Sequence, residues 1–276
     1  METTIRPLAT TEEYHACERL QQQVWRMTDD LDVVPLHLLV GMQHNGGLLL
    51  GAFHGDTLVG FVLGYPGLTV DGFPQHCSHM MGILPEFQNQ SLGYSLKVAQ
   101  REHAGVQGHE LVTWTYDPLE SRNAYLNVRK LGAVCDTYLR DYYGPMTDGL
   151  NAGLPSDRFE VNWWIAGERV ARRLHGGRTE ALPHHEGAPL ANETRVSAGV
   201  RVPSSMNLEL DAPVVRIEIP TAYQAIKAGE PRLALEWRTA TRQLFESYFA
   251  AGYQVIDLDS RPVGGQRRSF YVLKLR

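Results

Sequence analysis

Cysteine is scarce in this 276-residue chain: Cys17, Cys77 and Cys135 are an odd set, spaced too widely to make metal-binding pairs. A disulfide-built scaffold is therefore excluded, and reduced thiols are expected. A basic excess is missing too. With 26 Lys and Arg against 31 Asp and Glu, the formal charge is -5, which leaves no electrostatic footprint for nucleic acid and mildly favours a cationic or neutral partner. No apolar run approaches membrane-spanning length, and Met1-Glu2-Thr3-Thr4-Ile5-Arg6 lacks the apolar core of a signal peptide. The expectation is a soluble cytoplasmic protein with no nucleic-acid or membrane partner. No motif recurs along the chain. What remains is a chain 43% hydrophobic and 21% charged, able to bury a core and long enough for one large or two modest domains.

The chain is organised around Pro85-Glu86-Phe87-Gln88-Asn89-Gln90-Ser91-Leu92-Gly93-Tyr94. Before it, Cys77 to Leu84 is apolar enough for a buried strand; after it, Leu92, Leu96, Ala99 and His103 recur at helical spacing. A strand, a short loop and a helix start form an anion site, because the first N–H groups of a helix lack internal partners and the macrodipole adds positive charge there.

Around this stretch the order is readable. Thr4 to Leu8 reads as an edge strand, since Pro7 lacks a ladder donor, and Thr10-Thr11-Glu12-Glu13 as a capped helix start with Tyr14, Cys17, Leu20, Val24 and Trp25 on one face. A second helix is expected over Pro35 to Met42. Leu48 to Phe53 and Thr57 to Gly64 flank His54-Gly55-Asp56 as a hairpin. Glu110 to Tyr116 is a further strand, Glu120 to Leu131 a helix stopped by Gly132, and Val134 to Tyr143 and Phe159 to Ile165 are closing strands. Residues 167–199 lack sustained periodicity, and Arg169, Arg172 and Arg173 are expected on a solvated helical turn. Order returns at Val214 to Ile219, along the stripe Leu233, Trp237, Ala240, Leu244, Phe245 and Tyr248, and at strands Tyr253 to Leu258 and Ser269 to Leu275.

At three places the sequence resembles the GNAT (Gcn5-related) N-acetyltransferase superfamily. Gln88-Asn89-Gln90-Ser91-Leu92-Gly93 is similar to its pyrophosphate loop, Arg/Gln-x-x-Gly-x-Gly/Ala, with Ser91 at a usual glycine. Leu84-Pro85-Glu86-Phe87 is similar to its lead-in. Ser121-Arg122-Asn123-Ala124 with Arg129-Lys130-Leu131-Gly132-Ala133 is similar to its Asn-x-x-Ala helix ending in Lys-x-Gly-Phe. The resemblance covers about residues 1–166. It implies an α+β fold with a mixed, splayed central sheet flanked by helices and an acyl-CoA-binding domain over 1–166; beyond it, the residue pattern alone gives an irregular segment over 167–199 and a smaller α+β extension over 200–276, read as a decayed half-repeat or a cap.

It further implies acetyl-CoA as cosubstrate and a primary amine, expected to be a small molecule, as acceptor; a homodimer is allowed. Backbone donors to the thioester are expected at Gly82 and Ile83, and loop contacts at Gln88, Asn89, Gln90, Ser91, Leu92, Gly93 and Tyr94. Ser91 fits if its φ is negative, with its hydroxyl free to cap the helix. Ser121 and Asn127 are further cofactor contacts. His79 is the candidate general base, since histidine titrates near neutrality. The usual general-acid tyrosine falls at Val128, which leaves Tyr125 as candidate acid, with Asn127 the other residue able to face the sulfur. Trp25, Trp163, Trp164 and Tyr142 are candidate walls of an acceptor pocket, and Arg158 a partner for an acceptor carboxylate. Metal binding by the His76-Cys77-Ser78-His79 run is discounted, because His76 faces away from Cys77 and His79 in a strand. A CoA-binding module without turnover is the alternative function.

Overall fold

The computed structural model describes residues 3–27, 29–175 and 185–276. The chain divides into two compact units, one of Met1–Trp114, Met146–Ala152 and Trp164–Ala166, the other of Thr115–Pro145, Gly153–Trp163 and Gly167–Arg276.

The first unit is a mixed sheet between helices. Strand β1 (Thr3–Pro7) is the edge, and helix α1 (Thr11–Trp25) opens on a capping box in which Thr10 and Glu13 each satisfy the other's backbone N–H. Helix α2 (Leu36–His44) follows, then β2 (Leu48–His54), β3 (Thr57–Leu68) and β4 (Pro74–Ile83) as antiparallel neighbours. Helix α3 (Leu92–Val106) crosses over to β5 (Leu111–Tyr116), which lies parallel to β4. Side-chain alternation along β2 and β3 feeds two cores. Leu49, Phe53, Phe61 and Leu63 pack with Tyr14, Cys17, Leu20 and Leu39; Leu48, Leu50, Val59 and Val62 pack with Leu92 and Leu96 of α3. The sheet is thus buried on both faces, which accounts for the nearly continuous apolar runs of its strands.

The second unit begins with helix α4 (Ser121–Ala124), which widens into a π-helical segment, Tyr125–Lys130, closed by the Leu131 N–H on Leu126 O. A regular helix to Leu131 was expected; the wider turn is the correction. Ala124, Val128 and Leu131 are nevertheless all fully buried. Gly132, at φ 76, stops the helix. Strands β6 (Val134–Leu139) and β7 (Arg158–Trp164) pair antiparallel.

Helix α5 (Glu168–His175) follows, and it overturns the expectation of a solvated turn for two of its three arginines, Arg172 alone being exposed as expected. Arg169 donates to the carbonyls of Gly132 and Ile256, and Arg173 to that of Arg129 (3.1 Å) and to the Asp257 carboxylate (2.8 Å). These guanidiniums satisfy carbonyls that the helix end leaves open.

Strands β8 (Asn192–Ser197) and β9 (Val200–Met206) form their own ladder. The unit is completed by β10 (Val214–Ile219), α6 (Tyr223–Gly229), α7 (Pro231–Ala250), β11 (Tyr253–Val263) and β12 (Gln266–Leu275), in the antiparallel order β7-β6-β11-β12-β10. Its core is aromatic: Phe245 lies edge-on to Phe159 and Tyr271, at centroid separations of 4.7 and 5.3 Å.

Candidate active site

The loop between β4 and α3 is built to expose backbone donors. Ser95 N–H is the first to close a turn of α3, on Ser91 O at 3.0 Å, so the N–H groups of Leu92, Gly93 and Tyr94 lie ahead of the helical ladder. Before them the chain enters the left-handed region twice, at Asn89 (φ 64) and Ser91 (φ 62). Left-handed residues within a turn curl successive N–H groups into an anion-binding concavity. The negative φ expected of Ser91 is therefore corrected: the serine adopts the glycine-like conformation of the position it fills, and its hydroxyl makes no capping bond to the helix N–H groups. The loop side chains brace the turn, Gln88 Nε2 donating to Ile83 O (3.2 Å) and Gln90 Nε2 to Glu86 O (3.3 Å).

The loop lies at the open end of a parting pair of strands. Strand β4 pairs with β5 only at Gln75↔Leu111, His76↔Val112 and Cys77↔Thr113, while its other edge stays on β3 as far as Ile83. From Ser78 to Ile83 one edge of β4 thus runs without β5 beside it. Leu84 N–H donates to the opposed Val59 O (3.0 Å), and the alternation of antiparallel pairs then makes Gly82↔Phe61 an exchanging pair. Gly82 accordingly turns its N–H towards β3, and Met81 and Ile83 turn theirs to the parted edge. Of the two residues expected as backbone donors, Ile83 turns its N–H to the parted edge, as Met81 does, and Gly82 turns its own to β3. Gly82 serves by its size: an added Cβ would stand 3.0 Å from Phe61 and 3.1 Å from Trp25.

His79 is the extra residue of a bulge in β4, since Leu63 pairs with Met80 and Gly64 with Ser78. The bulge swings its ring to 6.0 Å from that of Tyr65. Although the residue presents surface to solvent, the atoms crowding its imidazole lower its pKa by desolvation.

Sequence reasoning missed Lys97. It lies on the inward face of α3 and is only 2% exposed. Its ammonium donates to Ser78 Oγ (2.7 Å) and Gln100 Oε1 (3.1 Å) and stands 3.7 Å from the centre of the Trp114 ring. Burial lowers its pKa to about 7. Because Gln100 turns its oxygen to Lys97, its amide nitrogen donates to His76 Nε2 (3.1 Å) and leaves the imidazole proton on Nδ1. Burial, then His103, His109 and Lys97, hold His76 down to about 3, so it is neutral. The available signal was a lysine falling between Leu96 and Gln100 on the face that includes Ala104.

In the second unit, Ser121 Oγ donates to Thr221 O (3.0 Å), Asn127 and Val128 are buried, and Tyr125 is 37% exposed. Val128 is fully enclosed and offers no proton. Trp163 is not a pocket wall: it is wholly buried, donating to Leu131 O at 2.8 Å. Arg158 is also corrected. It is 6% exposed, donates to Asp157 O (3.0 Å) and lies over the Tyr143 ring, so it is a packed residue. Tyr142 is exposed beside Tyr143; in the first unit Trp164 is exposed beside Phe73, and Trp25 packs edge-on to Phe61.

No protein-family model matches the chain, and no curated protein matches it. Among solved structures it is similar to the ribosomal-protein-S18-alanine N-acetyltransferase from Escherichia coli, at 18% identity over 60% of this chain and 97% of that one, with a TM-score of 0.46. A putative GNAT-family acetyltransferase from Desulfovibrio desulfuricans is similar at 15% identity over 60% and 100%, with a TM-score of 0.47. A GNAT-family acetyltransferase from Elizabethkingia anophelis with acetyl-CoA bound is similar at 15% identity over 59% and 97%, with a TM-score of 0.43.

Proposed function

We propose that this chain transfers an acyl group from an acyl-CoA, acetyl-CoA in the simplest case, to a primary amine by direct attack. One observation carries the reading: the parted edge of β4 from Ser78 to Ile83 leads straight to the donors of Leu92, Gly93 and Tyr94. A diphosphate at the helix start satisfies those donors, and an arm laid along the parted edge meets the N–H groups of Ile83 and Met81. In this reading the acyl-CoA-binding elements lie within residues 1–166, and residues 200–276 are an appended α+β element. The protein acts as a soluble cytoplasmic enzyme on a small-molecule amine.

The amine nitrogen attacks the thioester carbonyl carbon, a C–N bond forms, the C–S bond breaks, and CoA leaves as thiolate. A backbone N–H of the parted edge steadies the carbonyl oxygen as it gains charge. His79, on the bulge, takes the amine proton.

The enclosed Val128, at the position where the resembled family carries its tyrosine, favours a second reading: a module that binds acyl-CoA without turnover. Calorimetric titration with CoA and acetyl-CoA tests the shared part, with submicromolar to micromolar binding expected of both. Thiol release with a panel of primary amines then separates the two. Absence of any CoA binding overturns both readings.

A further inference from the structure

Ser78 and Trp114 are the first residues past the last β4/β5 pair, one on each strand, and the ammonium of Lys97 touches both. Lys97 therefore sits at the crotch where the strands part. It is buried with only neutral partners, a hydroxyl, an amide oxygen and an indole face, so its protonated form has no counter-charge beside it. Among the described residues no carboxylate pairs with it. Buried charges are ordinarily paired, because a desolvated ion without a counter-charge is unfavourable by several kcal/mol.

The position of the crotch says where a counter-charge would come from. Lys97 is on α3, the helix whose first turn supplies the loop donors, and α3 packs on the sheet face opposite α1 and α2. From Ile83 back to Ser78 the strand covers roughly 16 Å at about 3.3 Å per residue, of the order of an extended pantetheine arm. The group delivered to the crotch is then the acyl end of the donor. His79 and the Trp25 side of Gly82 belong to the other face.

Resting on the acyl-CoA reading above, we infer that the preferred donor carries a terminal carboxylate on its acyl chain, a dicarboxylic monothioester of the succinyl-CoA kind, and that Lys97 selects it. The bonds made and broken are unchanged; the amide product retains the carboxylate. Charge-assisted hydrogen bonding in a desolvated site distinguishes that carboxylate from a methyl group of the same reach.

Succinyl-CoA and butyryl-CoA match in length and differ at that terminus, so the test is the ratio of their dissociation constants, by titration calorimetry on the full chain. The wild type should bind succinyl-CoA at least roughly tenfold more tightly, and Lys97→Met should bring the ratio to about one or invert it. Should Lys97→Met not fold, Lys97→Arg, which keeps the charge, should keep the preference, and the wild-type ratio stands by itself. A wild-type preference for butyryl-CoA, or no preference, overturns the inference and leaves Lys97 as a wedge between the strands. If no thioester binds at all, it is the acyl-CoA reading that has failed.

Discussion

The guanidinium of Arg169 donates to the carbonyl of Gly132 at 2.9 Å, tying α5 to the residue that ends the π-helical segment. The same side chain reaches Ile256 O. Burial, then the neighbouring Arg173, lowers its pKa to about 10, still charged at neutrality. Arg169→Met keeps the apolar stem and removes every donor, leaving buried carbonyls unsatisfied. The expected loss is about 2 kcal/mol, read as a lower urea midpoint with unchanged slope. A midpoint equal to that of the wild type would show that water replaces the arginine fully.

Ser91 pays for its left-handed backbone without using its hydroxyl as a cap. Ser91→Gly should therefore stabilise the chain by about 1 kcal/mol and leave CoA affinity intact or tighter, since the N–H positions are kept. Ser91→Val should do the reverse, a β-branched residue at φ 62 being strained. Thermal midpoints with and without CoA measure both effects. Destabilisation by glycine would mean that the loop does not hold this backbone in solution.

The elements of the first unit were legible because each carries redundant local signals. Thr10 and Glu13 announce α1, Gly55-Asp56 announces the β2/β3 turn, and apolar runs mark the strands. The bulge at His79 was not legible, since nothing in Ser78-His79-Met80 distinguishes an extra residue from regular alternation. The π-helical turn was hidden for a related reason, because Ala124, Val128 and Leu131 stand at α-helical spacing and are all buried despite the wider turn. Arg169 and Arg173 of α5 read as part of a solvated face because their partners, Gly132, Arg129 and Asp257, are distant in sequence. Lys97 was hidden by the ordinary rule that lysine faces water.

The capping box of α1 also carries a pH dependence. Hydrogen bonding to Arg6 first, then to the N–H groups of Ala9 and Thr10, lowers the Glu13 carboxyl to about 2, against an ordinary 4.5. A carboxylate with a depressed folded-state pKa contributes stability that is complete above 4.5 and is lost as pH falls towards 2. Glu13→Gln should flatten the fall in stability across that window while leaving the fold intact. Thr10→Ala should cost about 1 kcal/mol at neutral pH by removing the hydroxyl that accepts from Glu13 N–H. Urea midpoints across the window decide it; a wild-type slope retained in Glu13→Gln would assign the acid sensitivity elsewhere.

His79 makes the sharpest demand on the proposed chemistry. A general base acts unprotonated, and burial places this imidazole below its ordinary 6.5, so the acid limb of kcat/KM should lie below pH 6.5 and activity should persist as pH falls through that value. His79→Ala should lower kcat by roughly a hundredfold or more and abolish that limb. Acetyl-CoA affinity should stay unchanged, because the loop donors at Leu92, Gly93 and Tyr94 are backbone groups outside the bulge. His79→Gln, a side chain that still hydrogen-bonds but takes no proton, should resemble the alanine variant in rate and lack the limb as well. Were the limb to survive in either variant, the proton would be going elsewhere, and the bulge at His79 would serve only to set the course of β4 beside the parted edge.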